Sequence, residues 1–290
     1  MKLARPSRRW IAFGALATAG LAALAGTHSL EARQRQWIFQ PTKDTWWAGT
    51  DAAEGMTPVW IDFSSRSSAA AARLHGLWLP HADADAPVLL YLHGARWNVA
   101  GSAGRMRRMN ALGFAVLAID YRGFGASSDA SADQGPSEER AYEDARAAWA
   151  WLAEHHPQRR RYIFGHSLGS AIGVHLASEV DDASGLIVEG SFPSIAAVVS
   201  TFRWGWLPVS ALITQRFDAE SRIARVKAPL LVVHGSDDRL IPSSLGRALY
   251  DKALSPKRFV LVEGGSHHST HSLGERQYAA ALHDLFGPRL

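Results

Sequence analysis

The 290-residue chain is 47% hydrophobic and 20% charged, enough to bury one large α/β domain or two small ones and unlike a disordered chain. It has no cysteine, which excludes disulfides, thiolate nucleophiles and cysteine zinc sites. The net charge of +4 belongs to the N-terminus, where Lys2, Arg5, Arg8 and Arg9 precede the first acid, Glu31; the 27 charges of each sign that remain argue against nucleic acid as a partner.

The chain opens with a basic segment and then an uncharged apolar run from Trp10 to about Leu30. About 20 residues of helix measure roughly 30 Å, enough to cross a hydrocarbon core. Residues 1–30 therefore read either as a signal-anchor with Lys2 to Arg9 held cytoplasmic, or as a signal peptide cut after Ala25. Both readings place the rest of the chain outside the cytoplasm, attached to a membrane in the first case. A connecting segment, 31–57, leads to a globular region, 58–290.

In that region strand-like runs alternate with helical ones. Strands are predicted at Val59–Phe63, Leu74–Leu79, Pro87–His93, Phe114–Asp120, Arg161–Gly165, Gly185–Glu189, Pro229–His234 and Arg258–Glu263. Several are continuously apolar, as strands covered on both faces are. The first two have no helix between them and should pair antiparallel, with 64–73 as their hairpin loop. Helices are predicted from about Glu138 to Pro157, where proline stops the pattern, and over 167–179, 243–253 and 271–286. The expected architecture is one doubly wound α/β domain with an eight-stranded, mostly parallel sheet and helices on both faces.

Between the fifth strand and the next helix stands Gly165-His166-Ser167-Leu168-Gly169. This is G-x-S-x-G in the strand–turn–helix setting that exposes a nucleophilic serine. A serine hydroxyl needs a base to become nucleophilic, and glycines beside it let neighbouring backbone approach. The N–H of Leu168, directly after the serine, is one candidate oxyanion donor. For this fold the acid and the base should follow in the order Ser, Asp, His. Two strand ends supply them, each as a doublet: Asp237 and Asp238 in "HGSDDRLIP", and His267 and His268 in "EGGSHH". Neighbours in a loop point in different directions, so one of each pair serves.

With "YLHGARWN", "DYRGFGAS" and "GHSLGS", these form five stations that resemble the α/β-hydrolase superfamily over about 58–290. The likeness is to its membrane-anchored, small-lid serine hydrolases related to monoacylglycerol lipases and the serine aminopeptidase type. The resemblance implies the α/β-hydrolase fold and selects Asp238 as the acid through His234, Gly235, Ile241 and Pro242, and His267 as the base, with Ser266 where a glycine is usual. It also implies the Ala95 N–H as the second oxyanion donor, although the H-G-G-G form of that loop is absent. In relatives the Asp120 loop is mainly architectural; His93 and His234, each before a glycine at a strand end, read as structural histidines.

Residues 191–221 are expected to combine a crossover helix with a small apolar lid carrying Phe192, Phe202, Trp204, Trp206 and Leu207. The expected function is hydrolysis of carboxylic or thio-esters of apolar acyl groups through Ser167, His267 and Asp238, on a small-molecule or lipid substrate. A serine aminopeptidase and a non-catalytic binding protein of the same fold are the alternatives. No metal-ligand spacing is present, so no metal or other cofactor is expected.

Overall fold

The eight strands are β1 (Thr57–Ser64), β2 (Ala71–Leu79), β3 (Val88–Leu92), β4 (Ala115–Ile119), β5 (Arg161–His166), β6 (Ala183–Glu189), β7 (Leu230–Gly235) and β8 (Lys257–Val262). They form one sheet in the order β1-β2-β4-β3-β5-β6-β7-β8. Only β2 runs against its neighbours: it pairs antiparallel with β1 and β4, and the pairs from β3 to β8 are parallel. The structure, a computed structural model, describes residues 30–44, 47–67, 70–128, 135–202 and 209–287.

Strand side chains alternate between the two sheet faces. Leu90, Leu92, Ile163, Val188 and Val232 belong to one core, and Leu89, Tyr91, Phe164, Ile187 and Val233 to the other. Two cores explain why these strands lack a polar face. The first core is closed by α4 (Glu138–His155), α5 (Leu168–Ala177) and α8 (Ser243–Lys252), the second by α3 (Ala103–Ala111) and α10 (Glu275–Phe286). The remaining α-helices are α1 (30–39), α2 (Trp47–Ala53), α6 (Ile195–Ser200), α7 (Glu220–Ile223) and α9 (Thr270–Leu273).

Three local differences from the sequence reading have physical causes. The C-terminal helix is two helices, broken at Gly274, where a Cβ would lie 2.6 Å from a Val262 methyl carbon. The hairpin loop is shorter than 64–73, because Ser64 pairs with Ala71 and Phe63 with Ala72 in the ladder. Helix α3 carries three arginines and gives only Met106 and Met109 to the core besides Ala103, too thin a stripe to read beforehand.

The segment before β1 is built into the domain. Ile38, Phe39 and Met56 are buried, and the Phe39 ring lies 6.3 Å from that of Phe124 and 5.6 Å from that of Phe217. The predicted membrane-crossing run, 10–30, lies outside the described residues except for Leu30. Among the described residues no helix is long and apolar enough to cross a membrane. In the 191–221 segment Phe192 is core, Phe202 is exposed, and Trp204, Trp206 and Leu207 lie outside the described residues.

A buried ionic cluster ties the β1–β2 loop to α4. The Arg122 guanidinium donates to Asp144 at 2.6 Å, Glu143 at 2.8 Å and the Ser65 hydroxyl at 2.7 Å. Glu143 in turn accepts from the Ser67 N–H at 2.8 Å. Arg122→Met would leave two carboxylates buried without their cation, and we expect a loss of about 3–5 kcal/mol in denaturant-unfolding stability.

Candidate active site

The turn after β5 stores backbone strain at one residue. Ser167 has φ 55° and ψ −122°, a conformation costly for a residue with a Cβ. Both flanking glycines are required by contact. A Cβ on Gly165 would stand 2.2 Å from the Gly169 carbonyl oxygen, and one on Gly169 would stand 2.1 Å from that of Leu92. The close approach brings the loop after β3 over the serine, where a Cβ on Gly94 would come 3.0 Å from the Ser167 Cβ.

Two other strand ends bring the expected partners to this turn. His267 Nε2 lies 2.9 Å from Ser167 Oγ, and His267 Nδ1 lies 2.7 Å from Asp238 Oδ2. All three residues are buried to below a tenth of full exposure. Asp238 Oδ1 accepts from the N–H groups of Leu240 at 3.0 Å and Ile241 at 2.8 Å, which fixes the carboxylate. Burial pushes the Asp238 pKa up, but His234, His267 and the Ile241 N–H outweigh it, and the carboxyl is held well below its usual range. Its ionisation therefore stabilises the fold above about pH 4, a contribution lost as pH falls toward the depressed value.

The doublets separate. The Asp237 carboxylate accepts from the adjacent Ser236 hydroxyl at 3.1 Å, whereas the Asp238 carboxylate meets the imidazole. The His268 ring lies edge-on to His267 at 5.3 Å between centroids. Leu168 opens α5 directly behind the serine, and Ala95 follows Gly94 in the overlying loop. That loop is held by the Arg96 N–H, which donates to the Phe39 carbonyl at 2.9 Å, and by Arg96 Nε, which donates to Gln40 Oε1 at 2.6 Å. Of the residues given structural roles, His234 donates to the Ile241 carbonyl at 2.9 Å, and Asp120 lies 2.9 Å from His75 and accepts from the Val99 N–H at 2.6 Å.

Arg105 and Glu189 are the residues that sequence reasoning missed. Arg105 Nε lies 3.3 Å from Glu189 Oε1, and its Nη2 reaches the carbonyls of His267 at 3.4 Å and His268 at 3.3 Å. The hydroxyl of Tyr278 donates to the other Glu189 oxygen. An ion pair at the floor of the site thus holds the main chain that carries His267. Burial, reinforced by the Arg105 charge, lowers the His166 pKa well below its ordinary value and keeps that ring neutral beside the guanidinium. Nothing in "GSAGRMRRMN" marks Arg105 among its three arginines. We expect Arg105→Met to lower kcat by about tenfold or more with KM little changed, because misplacing a reacting group by an ångström costs up to about 100-fold. Steady-state ester kinetics would check this, and recovery in Arg105→Lys would separate positioning from folding.

A cavity of about 410 Å³ adjoins the catalytic histidine candidate, lined in part by Leu240, His267, His268 and Arg239. A larger one, about 560 Å³, lies beside His75, Asn98 and Asp120. Size does not decide between them: the smaller touches the Ser–His–Asp array, and the larger holds an acid–histidine pair already engaged with the backbone. Among the described residues no group of three or more His, Asp or Glu could hold a metal ion. The arrangement can activate a serine hydroxyl for attack on an acyl carbon without one.

Comparison with known proteins gives the family and the fold. Residues 83–217 and 203–273 match the family model described as serine aminopeptidase, S33. An uncharacterized protein of Mycobacterium tuberculosis H37Rv is 35% identical over 214 residues, covering 72% of this chain and 73% of its own length. Lysophosphatidylserine lipase ABHD12 of Danio rerio is 30% identical over 193 residues, 59% of this chain and 48% of the lipase. This chain therefore spans about half the length of that enzyme. The esterase Pf2001 of Pyrococcus furiosus superposes with a TM-score of 0.66 at 18% identity, over 85% of this chain and 99% of the esterase, a likeness of fold.

Proposed function

We propose that this chain, which belongs to the α/β-hydrolase superfamily and within it to the family described as serine aminopeptidase, S33, hydrolyses carboxylic esters of apolar acyl groups through Ser167, His267 and Asp238. The observation that carries the reading is the unbroken relay of 2.9 Å from serine to imidazole and 2.7 Å from imidazole to carboxylate. Asp238 holds the Nδ1–H tautomer, which leaves Nε2 free to accept the Ser167 proton. Ser167 Oγ attacks the acyl carbon, and the N–H groups of Leu168 and Ala95 stabilise the oxyanion. His267 then protonates the departing alcohol, and water deacylates the serine with the same proton transfers reversed.

Single-chain lipid esters are the substrate class we favour. The lipases among the relatives act on lysophosphatidylserine, and the aromatic content of 191–221 suits an acyl chain. An aminopeptidase would need acids free to hold a substrate amine. In this segment Asp218 accepts from the Ser221 N–H at 3.1 Å, and Glu220 pairs with Lys252. A site outside the cytoplasm, reached through residues 1–30 as anchor or signal peptide, is part of this reading, with 58–290 and the part of 31–57 packed into its core as the catalytic domain, and 191–221 as its crossover and lid.

A series of p-nitrophenyl esters of increasing chain length, run beside lysophospholipids and aminoacyl p-nitroanilides, tests the substrate class. Each methylene buried is worth about 0.8 kcal/mol, so kcat/KM should rise about fourfold per carbon until the pocket is full. Faster cleavage of the anilides, with no chain-length trend among the esters, would overturn the substrate assignment in favour of the peptidase.

A further inference from the structure

The described surface carries an apolar face on α1 and on the segment after α6. On α1, Leu30, Gln34 and Trp37 follow one another at i, i+4 and i+7 and so share one side of the helix. Leu30 and Trp37 are exposed, at 39% and 53%, and the next two residues, Ile38 and Phe39, turn into the core. The face extends onto the segment after α6. The Phe202 ring, 40% exposed, lies 6.4 Å edge-on from Trp37, and Leu212 is 57% exposed. The Gln34 side chain fastens the two parts, donating to the Leu212 carbonyl at 2.7 Å and accepting from the Thr214 N–H at 2.9 Å.

The end of the same helix is coupled to the loop over the serine. The Phe39 carbonyl and the Gln40 amide receive both hydrogen bonds from Arg96, next to the oxyanion candidate Ala95. Gln40, Arg96 and Trp97 all have positive φ, at 47°, 65° and 60°, so this junction is strained and tightly fixed.

We propose that this face rests on a lipid bilayer and delivers a membrane-borne ester to Ser167. The sequence supplies the occupant: the uncharged run from Trp10 ends at Leu30, where the described helix begins. Tryptophan favours the membrane–water boundary, and the exposed Arg33 on the same helix suits anionic headgroups. The inference rests on the proposed ester hydrolase only for the delivery step; the contact itself is independent of catalysis.

The absence of cysteine permits a direct test in the full chain. Single cysteines replacing Trp37, Phe202 and Leu212 would carry spin labels, with one at Leu254 as control. Leu254 is 79% exposed and precedes β8, at the strand end away from the one that leads into His267. The protein would be reconstituted into phosphatidylcholine vesicles containing phosphatidylglycerol, and label depth read from collision with oxygen against an aqueous nickel complex. We expect labels at 37, 202 and 212 to lie at or below the headgroups and the label at 254 to lie in water. Aqueous readings at all four sites would overturn the proposal, as would mutual broadening of the labels without vesicles, which would mean that a second copy covers the face. A double Leu30→Asp, Trp37→Asp variant, both on the exposed side of α1, should lose about tenfold or more in turnover of a vesicle-borne ester and keep its rate on p-nitrophenyl acetate. Equal loss on both would contradict delivery, and a wild type inactive on both would count against the hydrolase and leave the depth measurement standing.

Discussion

Ser167→Ala is expected to lower ester turnover by about 10⁴- to 10⁶-fold, with the thermal midpoint nearly unchanged. The two effects separate because the strain of the turn is a property of the backbone. Alanine keeps the Cβ and adopts φ 55° at the same cost, and the close approach of Gly165, Gly169 and Gly94 is untouched. Only the hydroxyl 2.9 Å from His267 Nε2 is removed. Steady-state kinetics with a thermal melt measures both. A variant with near-normal turnover would show that another group forms the acyl bond, and a variant that unfolds would show that the hydroxyl is structural.

Asp238→Asn should cost about 10⁴-fold in kcat, and Asp237→Asn less than about threefold. The geometry gives the reason. Oδ1 of Asp238 receives two backbone N–H groups, so an asparagine keeps its oxygen there and turns its amide nitrogen toward His267. A donor then faces Nδ1, the imidazole takes the other tautomer, and Nε2 carries a proton when it must accept one. Asp237 bonds only to its neighbour Ser236 and the loop, so its neutralisation leaves the relay intact. The same contrast separates His267 from His268, since only the former touches both partners. A large loss at Asp237 with a small one at Asp238 would reverse the assignment.

Much of this was legible beforehand, and for identifiable reasons. Buried parallel strands are written as unbroken apolar runs, so all eight were found within a few residues. The serine turn was legible because glycine is needed at fixed offsets where backbone meets backbone. The doublets were not resolvable from residue type, because chemistry alone cannot say which neighbour points inward; the family pattern chose, and the hydrogen bonds give Asp238 and His267 the contacts. Arg105 and Glu189 stayed hidden because a buried ion pair has no sequence spacing: it joins α3 to the end of β6 across 84 positions. Helix α1 was hidden too, since its two core residues, Ile38 and Phe39, follow an apolar run that reads as an address.

Ser167 is proposed as the nucleophile of an acyl transfer. The most direct test is intact-mass measurement of the full chain after exposure to a fluorophosphonate probe, with peptide mapping and the Ser167→Ala protein in parallel. One adduct per chain is expected, on Ser167 and absent from the variant. A folded wild-type protein that takes up no probe, or takes it up equally without Ser167, would contradict it.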